Sequence, residues 1–408
     1  MISSYTVPRR GAASGREAAR GRRVRMLAER VEIGLSWLQA QRFAMQRLLE
    51  RLVRQSSFSQ DAPGVNAVVA MLDQELRRIG VKTERIRSPR FGDHLYFESA
   101  AQGPFTFLIG HTDTVHPRRA FEGFELAGDL AKGPGVFDMK GGLVVMLFAL
   151  EALARAALLR HVPVRGLIVS DEEVGSPDSQ PHLRQRAQGA ACALGFEPGR
   201  EGDALITRRK GVASLQVIAR GVAAHAGNDH ERGKNAIWAL ARFVDRVQSL
   251  TDYARGLTVN VGVVQGGTTK NIVPDLARAE VELRYVTAED GERLYATLEE
   301  AAAAAPVEGT HLEVVKTAWR PPMVRSDASA ELARELGGCQ EESGLGSGEA
   351  PLSGGGSDAC TTSDMGIPSI DGLGPRGSGF HTLEEKVDLT SLVPKAMAVA
   401  RFLARRGG

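Results

Sequence analysis

Apolar positions recur at helical spacing through residues 31–55, at Ile33, Leu35, Leu38, Phe43, Met45, Leu48, Leu49 and Leu52. That period predicts one amphipathic helix or two in succession. A second helix is expected over about 64–79, stopped by Gly80. The pattern then shortens. Val81–Ile86 and His94–Glu98 read as short strands. Phe105–Ile109 is a continuous apolar run between Gly103-Pro104 and Gly110, as a strand buried on both faces requires. A helix over 141–159 follows, then strands over 164–170 and Ala191–Phe196. This alternation predicts a mostly parallel sheet with flanking helices, an α/β fold.

Near residue 210 the order changes. Val212–Ala219, Thr258–Val264, Ala277–Val286 and His311–Lys316 read as strands, and Ala236–Leu250 and Glu292–Ala304 as helices. Strand–helix–strand–strand–helix–strand is a ferredoxin-like unit, here expected over 210–319. It would be inserted into a larger domain formed by 31–209 and 320–408. Residues 337–357, rich in Gly and Ser, read as a long loop, and loops of that length are often functional.

Composition narrows the class. At ~150 residues per domain, 408 residues suggest two or three domains. Apolar residues make up 43% and charged residues 25%, and the net charge is +2, so no nucleic-acid partner is expected. Cys192, Cys339 and Cys360 are odd in number and form no CxxC pair. They argue against a disulfide framework or a thiolate zinc site, and fit a reducing compartment. The apolar stretch Leu143–Leu159 carries Glu151 and Arg155 and reads as a buried helix, so no membrane association is expected. Residues 1–30 hold eight Arg and two Glu with no following apolar run, which a secretory signal needs. Disorder is the expectation for this basic arm. Its alternative is an arm for nucleic acid or a membrane surface. Cytoplasmic location is the corresponding expectation.

Five segments concentrate imidazoles and carboxylates beside the expected strand ends. In Gly110-His111-Thr112-Asp113, residues i and i+2 share a side, so Asp113 can orient His111 as metal-ligating histidines require. A structural histidine is the other reading. Asp138 lies in a Gly-rich loop before the long helix, as a helix cap or as a carboxylate bridging two cations. Asp171-Glu172-Glu173 is either a solvated acidic turn or a set of like charges relieved by a metal. Glu172 and Glu173 would point opposite ways, one for metal and one for a proton. Glu197 follows an apolar strand, and His381 lies in Gly379-Phe380-His381-Thr382, flanked by Gly377 and Glu384-Glu385. Together they gather at strand carboxyl ends, where open α/β sheets build sites. Imidazole and carboxylate without thiolate suit Zn²⁺, with Co²⁺ or Mn²⁺ as alternatives. The inventory matches a two-metal site, whose ions sit ~3.5–4 Å apart and activate a water between them.

The ordered set HTDTVHP, GPGVFDMKGG, SDEEVGS, GFEPG, AHAG and GFHT resembles the zinc-dependent aminoacylase/carboxypeptidase family, which includes glutamate carboxypeptidase, acetylornithine deacetylase and succinyl-diaminopimelate desuccinylase. The resemblance spans about residues 40–405. It implies a di-zinc exopeptidase-like catalytic domain with an inserted lid and dimerisation domain. His111 and Glu197 would complete one zinc site, Glu173 and His381 the other, with Asp138 bridging. Glu172 would be the general base, Asp113 would orient His111, and the Asp138–Met139 peptide bond would be cis. His225 would reach a neighbouring subunit's active site and stabilise an oxyanion, which requires a homodimer. Asn271 and Arg284 match substrate-binding positions, and Arg284 could pair with a substrate carboxylate. The loop Gly354–Asp358, with Gly356 and Ser357, would face the substrate. A surface salt bridge for Arg284 and a flexible turn for the loop are the structural alternatives. The implied activity is hydrolysis of the amide bond to a C-terminal amino acid, with Glu the first choice, in a small peptide or N-acyl amino acid. A deacetylase or desuccinylase is the rival. The intact set of five ligands plus Glu172 argues against a non-catalytic binding protein on this fold.

Overall fold

The computed structural model describes residues 29–304 and 307–407. The basic arm expected over 1–30 lies outside the described residues, apart from Glu29 and Arg30, which open the first helix. The first apolar stretch forms two helices in succession, residues 29–39 and Arg42–Arg54. The next helix, Ala62–Arg78, begins at Asp61, whose carboxylate accepts from the Gly64 N–H, a side-chain cap for an otherwise unpaired donor. It gives way to Gly80 at φ 84°, a left-handed conformation that favours glycine.

The central sheet has six strands in the order Lys82–Ile86, His94–Glu98, Val164–Val169, Thr106–His111, Cys192–Gly195 and Ser369–Ile370. The last four are parallel, and the first two add an antiparallel edge. Every residue of Thr106–His111 is buried, as a parallel strand covered on both faces must be. The helix Gly141–Arg155 is apolar except for Glu151 and Arg155 and is buried from Gly141 to Leu153. At Gly142 an added Cβ would fall 1.9 Å from the Phe196 carbonyl oxygen. Glycine thus lets this helix press against the chain that leads to Glu197.

A small sheet of Gly377–Ser378, Lys386–Asp388, Leu130–Lys132 and Glu125–Ala127 lies beside the central one. Its strands, two or three residues long, are too short to show a period in the sequence. The third sheet is wholly antiparallel, in the order Thr258–Gly266, Leu276–Tyr285, Gly211–Arg220, His311–Arg320. Helices Ala236–Gln248 and Ala288–Ala303 pack on it, around a separate core that includes Leu215, Val217, Phe243 and Leu298. This is the expected ferredoxin-like order. Its last strand runs beyond the expected end at Lys316 to Arg320, across a bulge between Lys316 and Ala318. The long loop also begins later than expected. The helix Asp327–Glu341, started by a Ser326–Ser329 capping box, carries through Gly337 and Gly338. Among the described residues no helix is long and apolar enough to cross a membrane.

Candidate active site

The five segments converge. His111 is the last residue of the central strand, and Glu197 lies two residues beyond the end of its parallel neighbour Cys192–Gly195. Glu172 and Glu173 form a single 3-10 turn after Val164–Val169. Asp138 lies in the loop before the buried helix, and the Asp138–Met139 peptide bond is cis. His381 comes from the edge of the small sheet, at φ 63°. A left-handed non-glycine residue costs roughly 1–3 kcal/mol, so the surrounding contacts must hold it there.

The two oxygens of Asp138 face different partners. Oδ1 is 3.2 Å from His111 Nε2, which is also 3.8 Å from Glu197 Oε1. Oδ2 is 3.4 Å from His381 Nε2, which is 3.0 Å from Glu173 Oε2. Donor atoms of His111, Asp138 and Glu173 lie within 4.8 Å of one another, as do those of His111, Glu172 and Glu197.

Burial and charge work against each other in this cluster. Burial holds Glu197 well above the usual carboxylate range and pushes Glu173 up to about 8, although His381 pulls Glu173 the other way. Burial would raise Asp138 as well, but its hydrogen bonds with His111 and His381 outweigh it and leave Asp138 low. Hydrogen bonds to Asp138 and Glu173 push His381 up to about 10. Burial opposes charge on His111, yet Asp113 and Asp138 leave it raised. The carboxylates therefore retain protons or borrow them from imidazoles. A pair of divalent cations would relieve that excess negative charge, and the N/O donor set suits such ions.

Asp113 supports the cluster differently from expectation. Its main-chain carbonyl, 3.0 Å from His111 Nδ1, makes the shorter contact, and its carboxylate Oδ1 is 3.4 Å away. The carboxylate accepts from the N–H groups of Glu172 and Glu173, each at 3.2 Å, and from the Ser59 hydroxyl. Asp113 thus fixes the acidic turn as well as the imidazole.

A cleft of about 340 Å³ opens beside the cluster, lined by Glu172, Glu173, Arg284, Arg320, Gly356 and His381 among others. Arg284 pairs with Glu282 at 2.9 Å and donates to the Gly354 carbonyl, so the loop and the inserted sheet meet there. Ser357 corrects one expectation. Its side chain is buried and its hydroxyl donates to Asp371, so it braces the loop instead of facing substrate. His225 and Asn271 are absent from the cleft lining. They lie in adjoining segments of the inserted unit, where His225 pairs with Ile272 and the Ala226 N–H donates to the Asn271 carbonyl.

Several residues escaped the sequence reading. Arg320, at the end of the last inserted strand, donates to the Glu172 carboxylate, to the Glu172 carbonyl at 3.1 Å and to the Ser176 hydroxyl at 2.8 Å. Arg209, at the other crossing, donates to Asp371 at 2.9 Å and to the Gly355 carbonyl at 3.0 Å. Asp371 in turn accepts from the Glu197 N–H. Glu385 accepts from the Asp138 N–H. The acidic pair beside GFHT was the one visible signal for this group.

Fold and cluster define an α/β protein whose imidazole and carboxylate donors, gathered at strand ends, form a candidate metal centre. The peptidase dimerisation domain family matches residues 207–310. The chain is 31% identical over 371 residues to carboxypeptidase G2 of Pseudomonas sp. (strain RS-16), covering 89% of each protein. It is 30% identical over 331 residues to a succinyl-diaminopimelate desuccinylase of Cereibacter sphaeroides, covering 72% of this chain and 81% of that one. A Bacillus subtilis protein described as a dinuclear metal-binding peptidase of the M20 family superposes with a TM-score of 0.66 at 15% identity, over 90% of this chain and 98% of that one. The chain belongs to the M20 metallopeptidase family, and it is a hydrolase of the metallopeptidase and deacylase class that carries a dimerisation domain.

Proposed function

We propose that this enzyme releases a C-terminal amino acid, with glutamate the first choice, from a small peptide or N-acyl conjugate. The likeness to carboxypeptidase G2 supports that branch. The likeness to desuccinylases supports a second reading, removal of an acyl group from an amino acid. The observation that carries the site assignment is Asp138, with one oxygen toward His111 and Glu197 and the other toward His381 and Glu173. In this reading His111 and Glu197 would hold one Zn²⁺, Glu173 and His381 would hold the other, and Asp138 would serve both. Co²⁺ or Mn²⁺ are substitutes. When bound, such a pair polarises the scissile carbonyl and acidifies water at the site.

Glu172 takes the proton of the attacking water and passes it to the leaving nitrogen. Arg320 fixes its carboxylate from one side, and the Asp113 carboxylate fixes its backbone. Arg284 and the Gly356 loop receive the substrate carboxylate. Residues 210–319 serve as lid and dimerisation domain between catalytic segments 31–209 and 320–408. His225 and Asn271 act on the site of the partner subunit.

The test is metal content and hydrolysis before and after chelation, on N-acyl and dipeptide substrates ending in Glu, Asp, Ala, Leu and ornithine. About two ions per chain, with activity lost on chelation and restored by metal, is the expected result. The best substrate chooses the branch. A chelated enzyme at full activity would overturn the site assignment.

A further inference from the structure

Glu385 is 1% exposed, and the chemistry above gives it no part. Its carboxylate has four donors. Oε1 accepts from the backbone N–H groups of Phe137 and Asp138, both at 2.9 Å. Oε2 accepts from the Gly135 N–H at 2.9 Å and lies 3.1 Å from His116 Nε2. Its own carbonyl accepts from the Gly133 N–H. One residue thus fastens the loop from Gly133 to Asp138 by its main chain, its carbonyl at Gly133 and its carboxylate from Gly135 to Asp138.

The same side chain belongs to the segment that carries His381. Between them, Thr382 closes a turn by donating its N–H and hydroxyl to the Gly379 carbonyl, and the Glu384 N–H donates back to the Thr382 hydroxyl. Just beyond, Lys386 and Val387 pair with Lys132 and Ala131. Only three residues, tied by these turn bonds, therefore separate His381 from Glu385, the anchor of Asp138. Across the gap, His381 Nε2 and Asp138 Oδ2 stand 3.4 Å apart.

We propose that Glu385 is a positioning residue that sets the spacing of Asp138 and His381, and so tunes affinity for the ion held by Glu173, His381 and Asp138. The proposal rests on the reading of those three residues as ligands. A carboxylate is needed because it only accepts. An amide in its place would keep the two bonds at one oxygen but turn donor hydrogens toward the Gly135 N–H and His116. Losing a group that orients a metal ligand typically weakens metal binding by about 10–100-fold.

The test compares the full-length enzyme with Glu385→Gln, by titrating Zn²⁺ against a chromophoric chelator and by recording the visible spectrum of the Co²⁺ form. The ion at Glu173 and His381 is expected to weaken by about 10–100-fold, and the ion at His111 and Glu197, which shares only Asp138, by clearly less, with an altered Co²⁺ band. A purely structural defect would weaken both ions equally and lower the Tm of the metal-free protein. Either that pattern or wild-type affinity for both ions overturns the proposal. His381→Ala and Asp138→Asn are the controls. If they also keep both ions, the ligand reading has failed. If they lose metal and Glu385→Gln does not, only this proposal has failed. Should Glu385→Gln not fold, His116→Ala removes one donor of the four, and unchanged affinity for the second ion in that variant overturns the proposal equally.

Discussion

The central sheet and the inserted sheet are built to different ends. The strands that deliver His111 and Glu197 are buried along their whole length. In the inserted sheet, Gly211–Arg220 alternates between buried and half-buried positions, and the edge strand is exposed from Gly262 to Gly266. Parallel strands need cover on both faces, whereas an antiparallel sheet can leave one open. The open part is apolar. Val264 is 55% exposed and Trp238 on the neighbouring helix 54%, with Val263 and Ile237 also uncovered. One region completes its cluster of donors inside a single chain. The other leaves apolar surface, His225 and Asn271 outside the cleft lining, as a unit that works against a second copy would.

The largest expected effect breaks the first region alone. Glu172→Gln should lower kcat by about 10²–10⁴-fold, because it removes the proton carrier and keeps the bond to Arg320. Metal content and Tm should stay at wild-type values. Near-full activity in this variant would show that the base lies elsewhere.

Next is the link between the regions. His225→Ala should lower turnover by about 10²–10³-fold, the usual loss for one oxyanion donor, without loss of metal. Mixing this variant with Glu172→Gln then sharpens the comparison. If His225 serves the partner's site, mixed dimers regain activity that neither variant has alone. No recovery on mixing would place His225 in its own subunit's chemistry or outside catalysis.

A smaller effect on the fold, with a clear effect on assembly, is expected at the open face. Val264→Asp should shift the molecule toward monomer in sedimentation while changing protomer stability by about 0.5 kcal/mol or less, as exposed substitutions do. The monomer should turn over at the level of His225→Ala. A fully active monomer would sever the two regions functionally.

What the sequence could show follows from distance along the chain. Thr106–His111 and Cys192–Gly195 announce themselves by continuous apolar runs, and their polar endings supply His111 and Glu197. Asp138, Glu173 and His381 were legible because short motifs carry them in a recognisable order. The role of Glu385 was not. Three of its four donors are backbone N–H groups 247 to 250 residues away, which no local pattern encodes. Asp371 and Arg209 escaped for the same reason, being joined across 162 residues. Ser357 shows the converse. Its motif suggested a substrate contact, but only the fold reveals that Asp371 already takes its hydroxyl.

The smallest predicted effect is a dependence of stability on pH that metal should reverse. In the metal-free protein Glu173 is pushed up from 4.5 to about 8, first by burial, so ionising it costs the folded state free energy. Its contribution is fully present below 4.5 and is lost as pH rises toward 8. His381 is pushed up from 6.5 to about 10 by Asp138 and Glu173, so the stability of its charged form is present below 6.5 and is lost toward 10. Both act in one direction, and the Tm of the metal-free enzyme should fall between pH 5.5 and 8.5. Metal binding needs these same groups deprotonated and therefore strengthens over that range. The gap in Tm between loaded and stripped protein should widen as pH rises. A stripped protein whose Tm is flat or climbs over that window would mean that the buried carboxylates are satisfied without metal, and that the central sheet, like the inserted one, presents its polar residues to something else.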